Sequence, residues 1–254
     1  MSKSDFSPVK SADRVFDILE ELIHHPHGIT THELGKRLGI AASSIHALIQ
    51  TMVHRKYAKI NEERKITLGT KFYEFAARYS NDPLLLHAKP IMKSLARQVN
   101  ENIHLAVLDG LDIVYIACEQ TTHPVRYHVE IGQTQKAYVT GVGKMLLSQY
   151  SDKAIRDMFA SYHFEKLTEH TIDSIEMLAE RLELIRRNGY SLDDSESYVG
   201  AKCYAAPIYD ANGAMIASIS ISIPFLRADS AHDDAYVALI KEAGRQISAL
   251  FGDR

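Results

Sequence analysis

The chain has 254 residues, 46% of them hydrophobic, and a formal net charge of −3. That length suits two domains with sizeable cores, and the composition excludes a disordered or fibrous chain. Two cysteines, Cys118 and Cys203, exclude a disulfide framework; there is no Cys-x-x-Cys knuckle and no apolar run long enough to span a bilayer. The polar opening, Met1-Ser2-Lys3-Ser4-Asp5, lacks an apolar leader core, so the cytoplasm is the expected location, without a membrane partner. Charge is unevenly shared. Residues 1–70 hold ten Lys and Arg against eight Asp and Glu, a balance of +2, and the remainder carries −5. The first part is the better candidate for an anionic partner, with modest and salt-sensitive non-specific affinity.

The first predicted helix repeats Val15, Ile18, Leu19, Leu22 and Ile23 at helical spacing, with Ser11 as its candidate cap and Pro26 and Gly28 as its stop. Thr30-Thr31-His32-Glu33 has the pattern of a capping box. Leu34 and Leu38 follow one turn apart, and Gly39 ends that helix, since glycine takes a positive φ without a Cβ penalty. A third helix opens at Ala42 or Ser43. Its apolar stripe is Ile45, Leu48, Ile49, Met52 and Val53. The opposite face carries Ser43, Ala47, Gln50 and His54, flanked by Ser44, His46 and Thr51. Such short or hydrogen-bonding side chains suit phosphates and base edges, although an ordinary solvated face has the same pattern. Residues 57–60 and 65–68 alternate as strands around a turn at 61–64. Two helices with a glycine turn and a small hairpin make a winged helix-turn-helix, which sets one helix in the DNA major groove. Arg55, Lys56, Lys59, Arg64 and Lys65 would form a basic rim for backbone contacts. The DNA-binding candidates are Ser43, Ser44, His46, Ala47, Gln50, Arg55, Lys59, Arg64 and Lys65.

Residues 71–80 predict a linker helix with Phe72, Phe75, Ala76 and Tyr79 on one face, broken by Asn81-Asp82-Pro83. That stripe serves either packing within its own domain or a dimer contact. A helix follows from Leu84 to about Asn100 with Pro90 inside it. Strands at 103–108 and 112–117 flank an Asp109-Gly110 turn, and a third strand is expected at 125–132. Helices are expected at 143–149, 152–160 and 174–188, the last ended by Gly189. A second hairpin pairs 202–208 with 214–224, and a last helix covers 233–251. Helices around hairpins imply an α+β sandwich. In Ser218-Ile219-Ser220-Ile221-Ser222-Ile223 the isoleucines face one side and the serines the other. Three serines without a charge indicate a face that is covered yet polar, as in a pocket for a polar ligand or beneath a subunit contact. Gly141-Val142-Gly143-Lys144 lacks the full phosphate-loop spacing and reads as a tight turn or an anion-binding helix start.

Together these residues resemble the IclR family of bacterial transcriptional regulators. The resemblance spans almost the whole chain. It rests on Gly39-Ile40 through Leu48-Ile49, Thr67-Leu68-Gly69 and Thr140-Gly141-Val142-Gly143-Lys144. It rests most heavily on Asp193-Asp194-Ser195-Glu196 with Val199-Gly200-Ala201-Lys202-Cys203, leading into Ala206-Pro207-Ile208-Tyr209-Asp210 and Ile219-Ser220-Ile221-Ser222-Ile223-Pro224. It implies a winged helix-turn-helix DNA-binding domain (1–70), a linker helix (71–83) and a GAF-like effector-binding and oligomerisation domain (84–254). The partners it implies are double-stranded operator DNA, a small organic acid or aromatic metabolite, and further copies of the chain in a dimer or tetramer, with no cofactor. Carried over by position, the effector pocket falls on Gly141, Val142, Asp193, Cys203, Ser220 and Ser222. Their amides and hydroxyls suit a carboxylate. One departure matters. The family commonly has Pro-Lys-Ser-Thr-Val-His-Arg at the start of the recognition helix, and here it reads Ala41-Ala42-Ser43-Ser44-Ile45-His46-Ala47. Two basic DNA contacts are therefore absent.

The leading expectation is a ligand-responsive regulator, a repressor of a catabolic operon more readily than an activator. An enzyme using Cys203 as nucleophile is the other class, but it has no histidine nearby in sequence and there is no Gly-x-Ser-x-Gly elbow. A metal sensor built on His24, His25 and His27 lacks a second ligand cluster. No catalytic or metal-binding residue is therefore expected.

Overall fold

In the computed structural model, which describes residues 7–127 and 129–252, the chain forms two units, Met1–Asp82 and Pro83–Arg254. The polar opening of the sequence lies outside the described residues.

The first unit contains α1 (Lys10–Ile23), α2 (Thr31–Arg37), α3 (Ala42–His54), β1 (Ala58–Ile60), β2 (Ile66–Leu68) and α4 (Lys71–Tyr79). Each of the first five contributes to one core, which includes Ile18, Leu22, Leu34, Ile45, Ile49, Met52, Ala58 and Ile66. The capping box forms: Thr30 Oγ1 accepts from the Glu33 amide at 3.2 Å, and Glu33 Oε2 accepts from the Thr30 amide at 3.2 Å. Ser11 is not the cap of α1. The helix starts at Lys10, with Val9 at the cap position and no side-chain bond there, so Ser11 falls within its first turn. Gly35 sits where α2 meets α3; a Cβ there would lie 3.1 Å from the Ile40 carbonyl oxygen and 3.3 Å from Ile45 Cγ2. At the wing tip Asn61 Oδ1 accepts from the Lys65 amide at 2.9 Å, and Arg64 takes a φ of 59°. The aromatic stripe of α4 divides. Phe72 and Phe75 lie 5.8 and 6.1 Å from the Tyr57 ring, while Tyr79 is exposed.

The second unit is an antiparallel sheet of order β5-β4-β3-β8-β7-β6, sandwiched by helices. The strands are β3 (Asn102–Asp109), β4 (Asp112–Glu119), β5 (Thr134–Lys136), β6 (Ser191–Asp194), β7 (Ala201–Tyr209) and β8 (Met215–Pro224). One face packs on α5 (Pro83–Val99) and α9 (Asp233–Ala249), where Ile103, Leu105, Ile219 and Ile221 meet Met92, Leu95, Ile240 and Ile247. The other packs on α6 (Gly141–Leu147), α7 (Asp152–Met158) and α8 (Ile175–Asn188), where Ala106, Ile113 and Tyr115 meet Leu146, Ile155, Leu178 and Leu182. The fold class is α+β, with a winged helix-turn-helix followed by a GAF-like helix-flanked sheet. Among the described residues no helix is long and apolar enough to cross a membrane.

Three elements differ from the sequence reading. The strand expected at 125–132 is absent from its described residues; the third strand is β5, further on. The segment meets the sheet through isolated bonds: the Asn102 side chain donates to the Tyr127 carbonyl, and the Gly132 amide donates to the Tyr115 carbonyl at 2.7 Å. Its alternating Val125, Val129 and Ile131 mimic a half-buried strand, but only Val129 is buried. Strand β6 was not anticipated, because Ser191, Asp193 and Asp194 have low strand propensity and sit at a sheet edge. Helix α6 begins at Gly141, two residues early, because Thr140 Oγ1 accepts from the Gly143 amide at 3.0 Å.

Candidate functional site

On the first unit, the apolar stripe of α3 is used by the core, which leaves its other face in solvent. Ser43, His46, Ala47, Gln50, Thr51 and His54 are exposed, and Ser44 is half-buried. A cleft of about 840 Å³ between α2 and α3 is lined by His32, Lys36, Ala42, Ser43 and His46 among others. The exposed face of α3 carries no Lys or Arg. Fixed positive charge therefore comes from its surroundings: Lys36 on α2, Arg55 after α3, and Lys59 and Arg64 on the wing, all exposed. Arg55, Lys59 and Arg64 make no ion pair among the described residues, whereas Lys65 Nζ pairs with Glu63 Oε2 at 2.7 Å. Of the nine predicted DNA-binding residues, seven are exposed and Ser44 and Lys65 are half-buried, and the charge of Lys65 is already locally matched.

In the second unit, sheet register gathers the predicted effector residues. Asp193 on β6 is paired with Cys203 on β7, Cys203 with Ser222 on β8, and Ser222 with Asn102 on β3. They form one continuous polar row across four strands. In the next row Ser220 lies between Ala205 and His104. All of these side chains are buried, although serine, asparagine, aspartate and histidine normally stay wet. Helix α6 covers the row. A Cβ on Gly141 would lie 3.4 Å from the Cys203 carbonyl oxygen and 3.6 Å from Asp193 Cβ, which is ordinary van der Waals contact, so the start of α6 lies directly against the row. Val142 is buried beside it.

Hydrogen bonds explain part of this burial. His104 Nδ1 lies 3.0 Å from Ser222 Oγ. Asp193 accepts three bonds from the loop that follows it: from the Glu196 amide at 2.8 Å, the Ser197 amide at 3.3 Å and the Ser197 hydroxyl at 2.6 Å. Its carboxylate therefore shapes that loop, a role the sequence reading did not assign. Burial raises the Asp193 pKa, against the nearby Lys144 charge and the Ser197 bonds. Burial, followed by the Asp193 charge, pushes the Cys203 thiol up. Burial also raises Tyr115, whose ring stands 5.5 Å from His104. A thiol held protonated in this way is a poor nucleophile, even though His104 is hydrogen-bonded to Ser222, the serine that Cys203 faces.

Sequence reasoning missed four residues of this neighbourhood: Asn102, His104, Lys144 and Glu196. Lys144 is fully buried and its ammonium is paired with Glu196, itself 2% exposed. Glu196 Oε1 also accepts from Arg181 at 3.0 Å. One signal was available, since His104 interrupts the apolar run Ile103–Val107 in a predicted strand. The other three depend on register and burial, which are not local. In the first unit, His25 Nε2 of the histidine cluster lies 3.1 Å from Glu21, and among the described residues no group of His, Cys, Asp and Glu is arranged to hold a metal ion.

Residues 11–60 match the family described as the IclR helix-turn-helix domain, and residues 77–249 match that of the bacterial transcriptional regulator IclR C-terminal region. The chain is 35% identical over 247 residues to the HTH-type transcriptional regulator KdgR of Escherichia coli (strain K12), covering 96% of this chain and 93% of that one. It is 27% identical over 248 residues to the transcriptional repressor IclR of the same strain, covering 96% and 90%. Its fold is like that of an IclR homolog from Microbacterium hydrocarbonoxydans solved in complex with 4-hydroxybenzoate. The TM-score is 0.84 at 22% identity, over 95% of this chain and 98% of that one.

Proposed function

The chain belongs to the IclR family of bacterial transcriptional regulators, and from that premise we propose that it is a ligand-responsive repressor whose second unit senses a small organic acid or aromatic metabolite. That it is a DNA-binding transcriptional regulator follows from the family. The sensing role is carried by one observation: a row of polar side chains, Asp193, Cys203, Ser222 and Asn102, buried in an otherwise apolar interior. Burying polar groups is unfavourable unless they are hydrogen-bonded, and a fold has no need of such a row merely to pack a sheet on helices. Gly141, Val142 and Ser220 complete the proposed pocket, and a relative of the same fold was solved with an aromatic acid, 4-hydroxybenzoate.

In this reading Ser43, Ser44, His46, Ala47 and Gln50 meet base edges and nearby phosphates in operator DNA, while Arg55, Lys59, Arg64 and Lys65 meet the backbone. Residues 71–83 connect the reading head to the sensor, and the working form is a dimer or tetramer. A dimer doubles the number of phosphate contacts, which offsets the missing basic residues at Ala42 and Ala47. The effector acts by its differential affinity for two arrangements of the oligomer, a coupling of about 1–3 kcal/mol.

The test is fluorescence anisotropy on the upstream intergenic DNA of its own gene, against a scrambled duplex at physiological salt, with organic acids added. Tight binding to the native fragment alone, released by one acid, is the expected result. Binding to the native fragment that no acid changes would overturn the sensing role.

A further inference from the structure

Lys144 is the most deeply buried cation among the described residues, and its one ion-pair partner there is Glu196. The arrangement is unequal. Glu196 has two cations, Lys144 on one carboxylate oxygen and the partly exposed Arg181 on the other. An ammonium can donate three hydrogen bonds, so Lys144 keeps unused donor capacity. Its charge reaches the polar row, opposing the effect of burial on both Asp193 and Cys203.

The backbone around Glu196 differs from its surroundings. Glu196 follows Ser195, a non-glycine residue with a φ of 60°, on the connection between β6 and β7. Such residues are uncommon and are held by their surroundings. Here Thr168 Oγ1 donates to the Ser195 carbonyl and Thr171 Oγ1 to the Glu196 carbonyl, both at 2.7 Å. Three residues beyond Glu196, Val199 is 84% exposed. The connection therefore runs from the polar row to solvent within a few residues.

We propose that Lys144 is a carboxylate-binding residue of the sensor unit and that Glu196 is the internal anion it holds until an acidic ligand replaces it. The proposal rests on the effector-binding reading above and adds the charge that selects an acid. The exchange conserves charge. A ligand carboxylate entering beside Asp193 needs a cation, because an uncompensated buried charge is strongly disfavoured. If Glu196 turns outward with Arg181, both carboxylates remain paired: the ligand with Lys144, Glu196 with Arg181. No buried charge is left alone at either end. The ligand class is a small monocarboxylate whose remaining polar groups meet Ser220 and Ser222. Because the β6–β7 connection moves with Glu196, occupation of the pocket is transmitted to the exposed Tyr198 and Val199.

The experiment is isothermal titration calorimetry of the full chain with acetate, lactate, succinate and 4-hydroxybenzoate, and with the matching amides. Glu196→Gln removes the competing anion and keeps the side-chain shape. It should lower the Kd of each acid that binds by about tenfold or more, and leave the amides unchanged. The double variant Lys144→Met/Glu196→Met removes both charges together, which spares the fold an unpaired one, and should lose acid binding. Acids binding Glu196→Gln no better than the natural chain, or binding the folded double variant at natural affinity, would make the pair purely structural and overturn the proposal alone. If no acid binds the natural chain or Glu196→Gln, the effector reading falls and this proposal with it.

Discussion

The exposed face of α3 and the buried face of β8 use similar side chains for opposite purposes. Both present serines and a histidine: Ser43 and His46 on the helix, Ser220 and Ser222 with His104 at the sheet. On α3 these groups are solvated, so changing one alters what the surface can bind and little else. On β8 they are enclosed, so each is part of the packing and of a hydrogen-bond ledger that must close. A polar residue placed for recognition is thus separable from stability in the first unit and inseparable from it in the second.

The largest expected effect tests that inseparability. Lys144→Met leaves Glu196 buried with only Arg181 and should destabilise the second unit by about 3–5 kcal/mol. Lys144→Met/Glu196→Met should recover most of that loss. Native-state hydrogen exchange, read unit by unit, checks it. An equal loss in the double variant would mean that packing around the stems, rather than charge pairing, holds α6 in place.

The opposite pole of the comparison predicts binding without stability. Gln50→Ala and His46→Ala should each weaken operator binding by about 1–3 kcal/mol if they read base edges. Their stability should stay within about 0.5 kcal/mol of the natural chain, because both side chains are exposed. Anisotropy titrations paired with thermal melts measure both quantities. A stability loss at either position would remove the contrast.

The same contrast sets what the sequence made legible. The first unit is read from local signals: Thr30 with Glu33 three residues on, Gly39 after a helical pair, and the alternation of 57–60 and 65–68. Each signal lies within a few residues of the structure it specifies. The second unit yields its serine face to the same reasoning, since alternation in β8 is local. It does not yield its partners. Asn102 and His104 come from a strand more than a hundred residues away, and only the β3–β8 register brings them to Ser222 and Ser220. Lys144 is legible only as the last residue of a glycine-rich tight turn or helix start, and nothing near it in sequence indicates that Glu196 will share its interior. The error at 125–132 is the converse, an apolar alternation that no neighbouring strand uses.

The contribution of Glu33 to the pH dependence of stability should be opposite in sign to that of Asp193 and Glu196, while Asp233 and Glu242 of the second unit, both lowered, act in the direction of Glu33. In the first unit, Thr30 holds the Glu33 carboxyl below its ordinary range, so the bond contributes above about pH 4.5 and is lost as the pH falls. In the second, burial raises both Asp193 and Glu196. Their contribution is fully present below the ordinary carboxylate range and is lost as the pH rises through their folded values. Hydrogen exchange of the second unit at pH 4 and pH 7 should show Asp193→Asn comparing more favourably with the natural chain at pH 7 than at pH 4, with the first unit unchanged. The same difference at both pH values would contradict the assignment.

The smallest effect separates two lysines on one wing. Lys59 lies on β1 and Lys65 immediately precedes β2, but Lys65 pairs with Glu63 at 2.7 Å while Lys59 makes no ion pair among the described residues. A cation that must leave a carboxylate to reach a phosphate releases less net counterion than one that is free. Lys59→Ala should therefore reduce the slope of log K against log salt by about one for each contact made, roughly uniformly across DNA sequences. Lys65→Ala should change it by less, and Glu63→Ala should steepen the slope by freeing Lys65. Equal effects of the two lysine variants would mean that DNA breaks the Glu63 pair completely, making the wing as adaptable as the exposed face of α3.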